Sequence, residues 1–231
     1  MLASREEITM DHHPQIKMFG FWRSAASFRV RCALNLKGLP YVEEMIDLDV
    51  GEQYAPGYKQ ANPQSAVPTV IVDNGPPLTQ SLAILEYLDE TFPQPALLPA
   101  EALGRARVRS LALLFAADHH PLIVPRIRRY LTDVLMVDDA KRNDWIKHWF
   151  SEGLSQAEAR LANDPLTGRF CHGDTPTIAD LCLISQVMGA RGFKVDVTGM
   201  PTVVRIADAC LAIDAIARAQ PLRQPGAPQS H

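Results

Sequence analysis

The sequence predicts a small α+β unit followed by an all-helical half, and three observations carry that division. Strand-like and helix-like hydrophobic periods alternate up to about Phe92. "PQPALLPAE", Pro93 to Glu101, then breaks the pattern with three prolines. Beyond it every apolar period is helical and no good strand is found.

In order, the first unit reads as strand IKMFGFW, helix SFRVRCALNLKG, strand YVEEMIDLD, strand VPTVIVDNG, a short strand at PLT and helix SLAILEYLDETF. The first helix is expected to bury Val30, Ala33, Leu34 and Leu36, and Gly38 with Pro40 behind it supplies the stop. Asp73 to Gly75, "DNG", reads as a hairpin turn, so the last two strands should be antiparallel. The order is βαβ followed by ββα.

In the helical half, ALGRARVRSLALLFAADHHPLIVPRIRRYLTDVL is one or two helices, interrupted near Pro121 and Pro125 because proline lacks the N–H a helix interior needs. DDAKRNDWIKHWFSEGLSQAEARLAN turns Trp145, Trp149, Leu154, Ala157 and Leu161 toward one face. Thr177 and Asp180 have capping-box spacing at the start of a helix whose apolar residues nearly surround it. A last helical stretch follows Pro201, and "RQPGAPQSH" reads as a frayed tail. The resulting boundaries are a tail at 1–14, a first domain at 15–93, a linker at 94–100 and a helical domain at 101–231.

Composition narrows the function. A chain of 231 residues with 47% hydrophobic residues can bury a full core, and a formal charge of -3 gives no field to gather nucleic acid or an anionic membrane. A small-molecule ligand or a protein partner is expected instead. The four cysteines, Cys32, Cys171, Cys182 and Cys210, show no metal or redox spacing and read as reduced core thiols of a cytoplasmic protein. In "DHH" the adjacent histidines point about 100° apart on a helix, so no metal site is expected.

The strand-to-helix turn "FWRSAAS" contains none of the usual turn residues and places Ser24 and Ser27 where free backbone N–H groups and the positive helix end favour an anion. Helix capping by one of these serines explains the turn equally well. "AVPT" carries Pro68, either on a cis bond that leaves the backbone groups of Val67 free for an extended peptide, or as an ordinary edge-strand proline. Gln80 and Ser81 open the next helix, a second carboxylate site or a plain cap at Ser81. Together these features describe a site for an extended peptide with one backbone-paired strand, a carboxylate at one helix N-terminus and an anionic group at the other, which a short acidic thiol peptide fits.

The ordered motifs "FWRSxxSxRxRxALNLKG", "ANPxxxVPT", "QSLAILEYL", "LLP", "DxHPL" and "GDTPTIADLCL" resemble the zeta-class glutathione transferases, the maleylacetoacetate and maleylpyruvate isomerases, from about Lys17 to Pro228. The resemblance implies a thioredoxin-like N-terminal domain that binds glutathione, an all-α C-terminal domain that builds most of the second-substrate pocket, and a homodimer. It implies that Ser24 holds the glutathione sulfur, that Gln53, Val67, Gln80 and Ser81 hold the rest of the peptide, and that His120 reaches it from the helical domain. Arg23 and Arg126 match arginines that grip substrate carboxylates.

The activity implied is cis–trans isomerisation of a maleyl-type keto acid in aromatic or tyrosine catabolism. The alternatives are a transferase or dehalogenase that consumes glutathione on a small electrophile, and a non-catalytic glutathione-binding protein. Four positions depart from the family pattern. Ala25 and Ala26 replace a serine and a cysteine that many members carry, Val124 an asparagine and Gly192 an arginine. A more apolar, less positive second pocket is therefore expected.

Overall fold

The computed structural model describes residues 14–228, so the tail predicted at 1–14 and the end of "RQPGAPQSH" lie largely outside the described residues. The N-terminal part runs β1 (Ile16–Gly20), α1 (Ala25–Leu36), β2 (Tyr41–Met45), α2 (Pro56–Ala61), β3 (Thr69–Val72), β4 (Leu78–Thr79) and α3 (Ser81–Thr91). Its sheet has the order β2-β1-β3-β4, with β1 parallel to β2 and β3 antiparallel to both neighbours. A thioredoxin-like arrangement is thus in place.

The predicted hairpin is present, pairing Val70 with Leu78. Asp73 and Asn74 both take positive φ, 48° and 57°, and the Gly75 N–H closes on the Val72 carbonyl at 2.8 Å, the geometry of a primed turn. The reading missed α2. It is six residues long and buries only Tyr58, too little to leave a period in the sequence.

The helical part comprises α4 (Ala102–Leu113), a π-helical turn (Leu114–His119), a 3-10 turn (His120–Leu122), α5 (Pro125–Asp133), α6 (Asp139–Leu161), α7 (Ile178–Gly192), α8 (Pro201–Leu211) and α9 (Asp214–Arg218). The long segment is interrupted at Pro121 and Pro125 as expected, because each proline sits in the first turn of a new element. Helix α7 is buried nearly all round and runs through the centre of the core. Its start holds the predicted capping box: the Asp180 carboxylate accepts from the Thr177 N–H and hydroxyl, each at 2.8 Å, and from the Cys171 N–H at 2.7 Å.

The two parts share one apolar core, since α1 packs against α3 on one side and against α7 and α9 on the other. The predicted linker is fastened into that core. The Lys37 ammonium, at the end of α1, donates to Asp89 Oδ1 at 3.0 Å and to the carbonyls of Phe92 and Pro95 at 2.7 and 2.9 Å. Asp89 also accepts from the Leu97 N–H, and the Leu97 carbonyl accepts from Ile178 at the head of α7. All three ammonium protons are used.

Candidate functional site

The turn between β1 and α1 is shaped by a buried ion pair. Arg31, on the inner face of α1, forks onto Glu43 of β2 through Nε and Nη2 at 2.8 and 2.9 Å, and Nη2 also donates to the Phe21 carbonyl at 2.7 Å. A planar guanidinium engaged in this way fixes the turn to the sheet. Ser24 is therefore presented at the N-terminus of α1, half-buried, its Oγ accepting from the Ser27 N–H at 3.1 Å. An accepting hydroxyl keeps its own proton for a further partner.

Ser27 does not join it. Its side chain is fully buried and its Oγ takes the Phe21 N–H at 3.4 Å, which ties the turn from inside. The capping reading of Ser24 is borne out, and the cap uses only its oxygen, leaving the O–H for a further partner.

A second wall is built by α2 and the loop before β3. Tyr58 donates to the Ala66 carbonyl, Asn62 Nδ2 donates to the same carbonyl at 2.8 Å, and both meet Thr69 Oγ1. The Val67–Pro68 bond is cis. Val67 packs with Phe21, Ile46 and Tyr58, and neither its N–H nor its C=O is engaged by another described backbone group. Gln53, in the 3-10 turn Glu52–Tyr54, is buried at 3% exposure with its Oε1 lacking a partner.

At the head of α3 the cap is Gln80, with φ of 68°, and no side chain closes that end. The plain Ser81 cap is thus corrected: Ser81 is the first helical residue, and its Oγ accepts from Arg29 Nη1 at 3.2 Å. Gln80 turns instead to Gln64, 2.9 Å away. The N–H groups of the first turn of α3 remain available to an anion.

Sequence reading passed over Arg29. It is 1% exposed, bonds Ser185 Oγ through Nε at 2.8 Å, and has Nη2 without a partner. Burial holds its pKa below the ordinary guanidinium value, and no carboxylate among the described residues pairs with it. Two arginines on an otherwise apolar helix, Arg29 and Arg31, were the signal that could have found it.

His120 lies in the 3-10 turn after the π-helical turn. Burial first, and then the charges of Arg29 and Arg126, hold its imidazole well below the ordinary 6.5, which favours the neutral ring. Its neighbour His119 points the other way, into α6, with Nε2 3.1 Å from Gln156. Arg126 is exposed on α5. Arg23 pairs with Asp49 and lies over Phe21 and Trp22. Arg128, which sequence reading did not single out, lies on the same helix as Arg126 with its Nε buried and without an acceptor among the described residues.

Val124 caps α5 without a side-chain bond, and Gly192 ends α7 with open space where a Cβ would stand. All four cysteines are buried, and burial raises their pKa, that of Cys182 to about 11, which removes them as nucleophiles.

Residues 14–90 match the family model described as the glutathione S-transferase N-terminal domain. The chain is 46% identical to a maleylpyruvate isomerase of a Ralstonia species, over 91% of this chain and 99% of that one. It superposes with TM-score 0.91 and 52% identity on a maleylacetoacetate isomerase from Methylobacterium extorquens AM1 with bound malonate and GSH, covering 92% of this chain and all of that one (100%). A holo maleyl pyruvate isomerase, a bacterial glutathione S-transferase of the zeta class, gives TM-score 0.89 and 45% identity, with 92% of this chain and 100% of that chain covered.

Proposed function

Because the chain belongs to the zeta class of glutathione transferases, the maleylacetoacetate and maleylpyruvate isomerases, we infer from its site a glutathione-dependent cis–trans isomerase of a maleyl-type keto acid. The observation that carries this reading is Ser24, an N-cap whose oxygen accepts from the helix while its proton is left to donate. Bound glutathione supplies a sulfur nucleophile that converts the substrate's cis double bond to a rotatable single bond and is regenerated.

The residues present fit that cofactor. Val67 offers an unengaged backbone edge, α3 an uncapped N-terminus over Ser81, and Arg29 and Gln53 buried polar atoms without partners. A buried cation that lacks a counter-ion favours a ligand carboxylate beside it. His120 and Gln80 complete the glutathione side.

A free thiol of pKa about 8.5 is only a few per cent ionised near neutral pH, so lowering it by about two units needs ~2.7 kcal/mol of preferential stabilisation. Ser24 donates to the sulfur and is not a base. The N-terminus of α1 adds its partial positive charge at the same place. Arg23 and Arg126 are assigned the substrate carboxylates and the negative charge that develops on the conjugated carbonyl. Residues 15–93 thus hold glutathione and residues 101–231 most of the second pocket.

Stoichiometry tests this. Maleylpyruvate or maleylacetoacetate is expected to turn over many times per glutathione, with no loss of free thiol. The competing reading, conjugation of glutathione to a small electrophile, is favoured by apolar Val124 and by the open space at Gly192. A glutathione adduct from an aryl halide or haloacid, together with no turnover of either maleyl acid, would establish it.

The protein is taken to be a cytoplasmic homodimer serving aromatic catabolism. Four free buried cysteines suit a reducing compartment. Leu103 and Leu113 of α4 are 87% and 47% exposed, apolar area that a second copy would cover. Sedimentation is expected to give a dimer at micromolar concentration; a stable monomer contradicts it.

A further inference from the structure

Between β2 and α2 the chain passes through a segment that buries little apolar surface. Asp49, Val50, Glu52, Tyr54 and Ala55 are exposed, and Gly51 takes a φ of 87°. Gln53 is the exception, buried with its Oε1 lacking a partner. The segment closes on itself through its acidic residues: Glu52 Oε2 accepts from the Asp47 N–H at 2.6 Å, the Asp47 carbonyl from the Glu52 N–H at 3.0 Å, and Asp47 Oδ1 from the Asp49 N–H at 2.8 Å. Such local bonds shape a loop without fixing where it lies.

Among the described residues, the hydrogen bonds that tie residues 48–54 to other elements come from two arginines. Arg23, in the β1–α1 turn, pairs with Asp49. Arg129, half-buried on α5, donates through Nη2 to the carbonyls of Leu48 and Asp49 at 3.0 and 3.3 Å, and its Cζ stands 5.7 Å from the centre of the Tyr54 ring. One guanidinium from the helical half thus holds the chain on both sides of Gln53. It supplies the anchoring that apolar packing does not.

We propose that Arg129 is a positioning residue for glutathione, fixing Gln53 from α5 before the peptide arrives, so that the first domain alone does not hold a finished site. The proposal rests on the glutathione reading of that site. It does not depend on which second substrate is used. Without the clasp, glutathione would have to order the segment as it binds, and that ordering costs affinity and spares turnover once the site is full.

Calorimetric titration with glutathione and amide hydrogen exchange test this. Arg129→Leu is expected to raise the glutathione Kd about 10-fold, because the ligand must then order the segment itself. Without ligand, the amides of residues 49–54 should exchange about 10-fold faster while those of α7 keep their rates. With maleylpyruvate as substrate, KM for glutathione should follow the Kd and kcat at saturating glutathione should stay within about twofold, a split that a merely structural loss would not give. Since Arg129 acts through Gln53, the double variant Gln53→Ala/Arg129→Leu should bind glutathione within about twofold of Gln53→Ala alone. A Kd within about twofold of the original in Arg129→Leu, unchanged exchange at 49–54, or losses that multiply in the double variant overturn the proposal. An original protein that does not bind glutathione overturns the glutathione reading and the proposal together. The expected binding pattern in a protein that isomerises neither maleyl acid upholds the role of Arg129 and sinks the isomerase reading alone.

Discussion

Ser24→Ala is expected to lower kcat by about 100-fold, the scale for removing one preorganised donor to a developing or resident anion. Glutathione affinity should fall by less than about threefold, because in the proposed reading Val67, the α3 terminus and Arg29 are assigned parts of the peptide remote from the sulfur. An ultraviolet titration of the bound thiolate should show its pKa rising toward the free value. The substitution also removes the cap bond to Ser27, costing about 1 kcal/mol of stability, so Tm must be followed beside kcat. Equal losses in kcat and in glutathione affinity would contradict a sulfur-directed hydroxyl.

The second large effect is on stability. Asp180→Ala should destabilise the protein by about 4 kcal/mol, since a buried carboxylate that serves two backbone N–H groups and a hydroxyl leaves those donors orphaned when removed. For a chain of this size that corresponds to a fall in Tm of roughly 10 °C. Asp180→Asn should cost less, because its one oxygen still accepts from the Cys171 N–H and its NH2 can donate to the Thr177 hydroxyl, leaving only the Thr177 N–H without an acceptor. Thermal melts in which the two substitutions are equivalent, or in which Ala costs under about 1 kcal/mol, would mean that the box is not holding the start of α7.

The sequence made this box legible because both partners lie within one turn of a helix. The succession of strands and helices, the hairpin at Asp73–Asn74 and the breaks at Pro121 and Pro125 were legible for the same reason: each depends on neighbours along the chain. What escaped depends on residues brought together from far apart. Ser27 looked equivalent to Ser24 until the turn closed over it and gave its oxygen to Phe21. Gln80 displaced Ser81 as the cap because Arg29, from another helix, draws the Ser81 hydroxyl away.

The same holds for the arginines. Arg126 and Arg128 are two residues apart on α5 and so point to nearly opposite sides, a difference that motif matching alone does not weigh. Burial distinguishes them: Arg126 is exposed, whereas the Arg128 Nε is buried and its guanidinium lies near the Phe193 ring. Arg29 and Arg31 were hidden by the rule that buried helix faces are apolar, which paired or ligand-facing arginines break.

The lysine that fastens the connecting segment also sets where this protein can be recombined with its relatives. A crossover placed inside residues 94–100 would take Lys37 and Asp89 from one parent and the backbone of Pro95 or Leu97 from another, leaving the ammonium's fit to chance. Moving the junction past Leu98 keeps Lys37 and its acceptors together, yet α1 must still match the α7 and α9 surfaces inherited from the second parent. The two halves are therefore poor interchangeable parts, and a chimaera that exchanges substrate pockets has to carry α1 along with the helices it packs against.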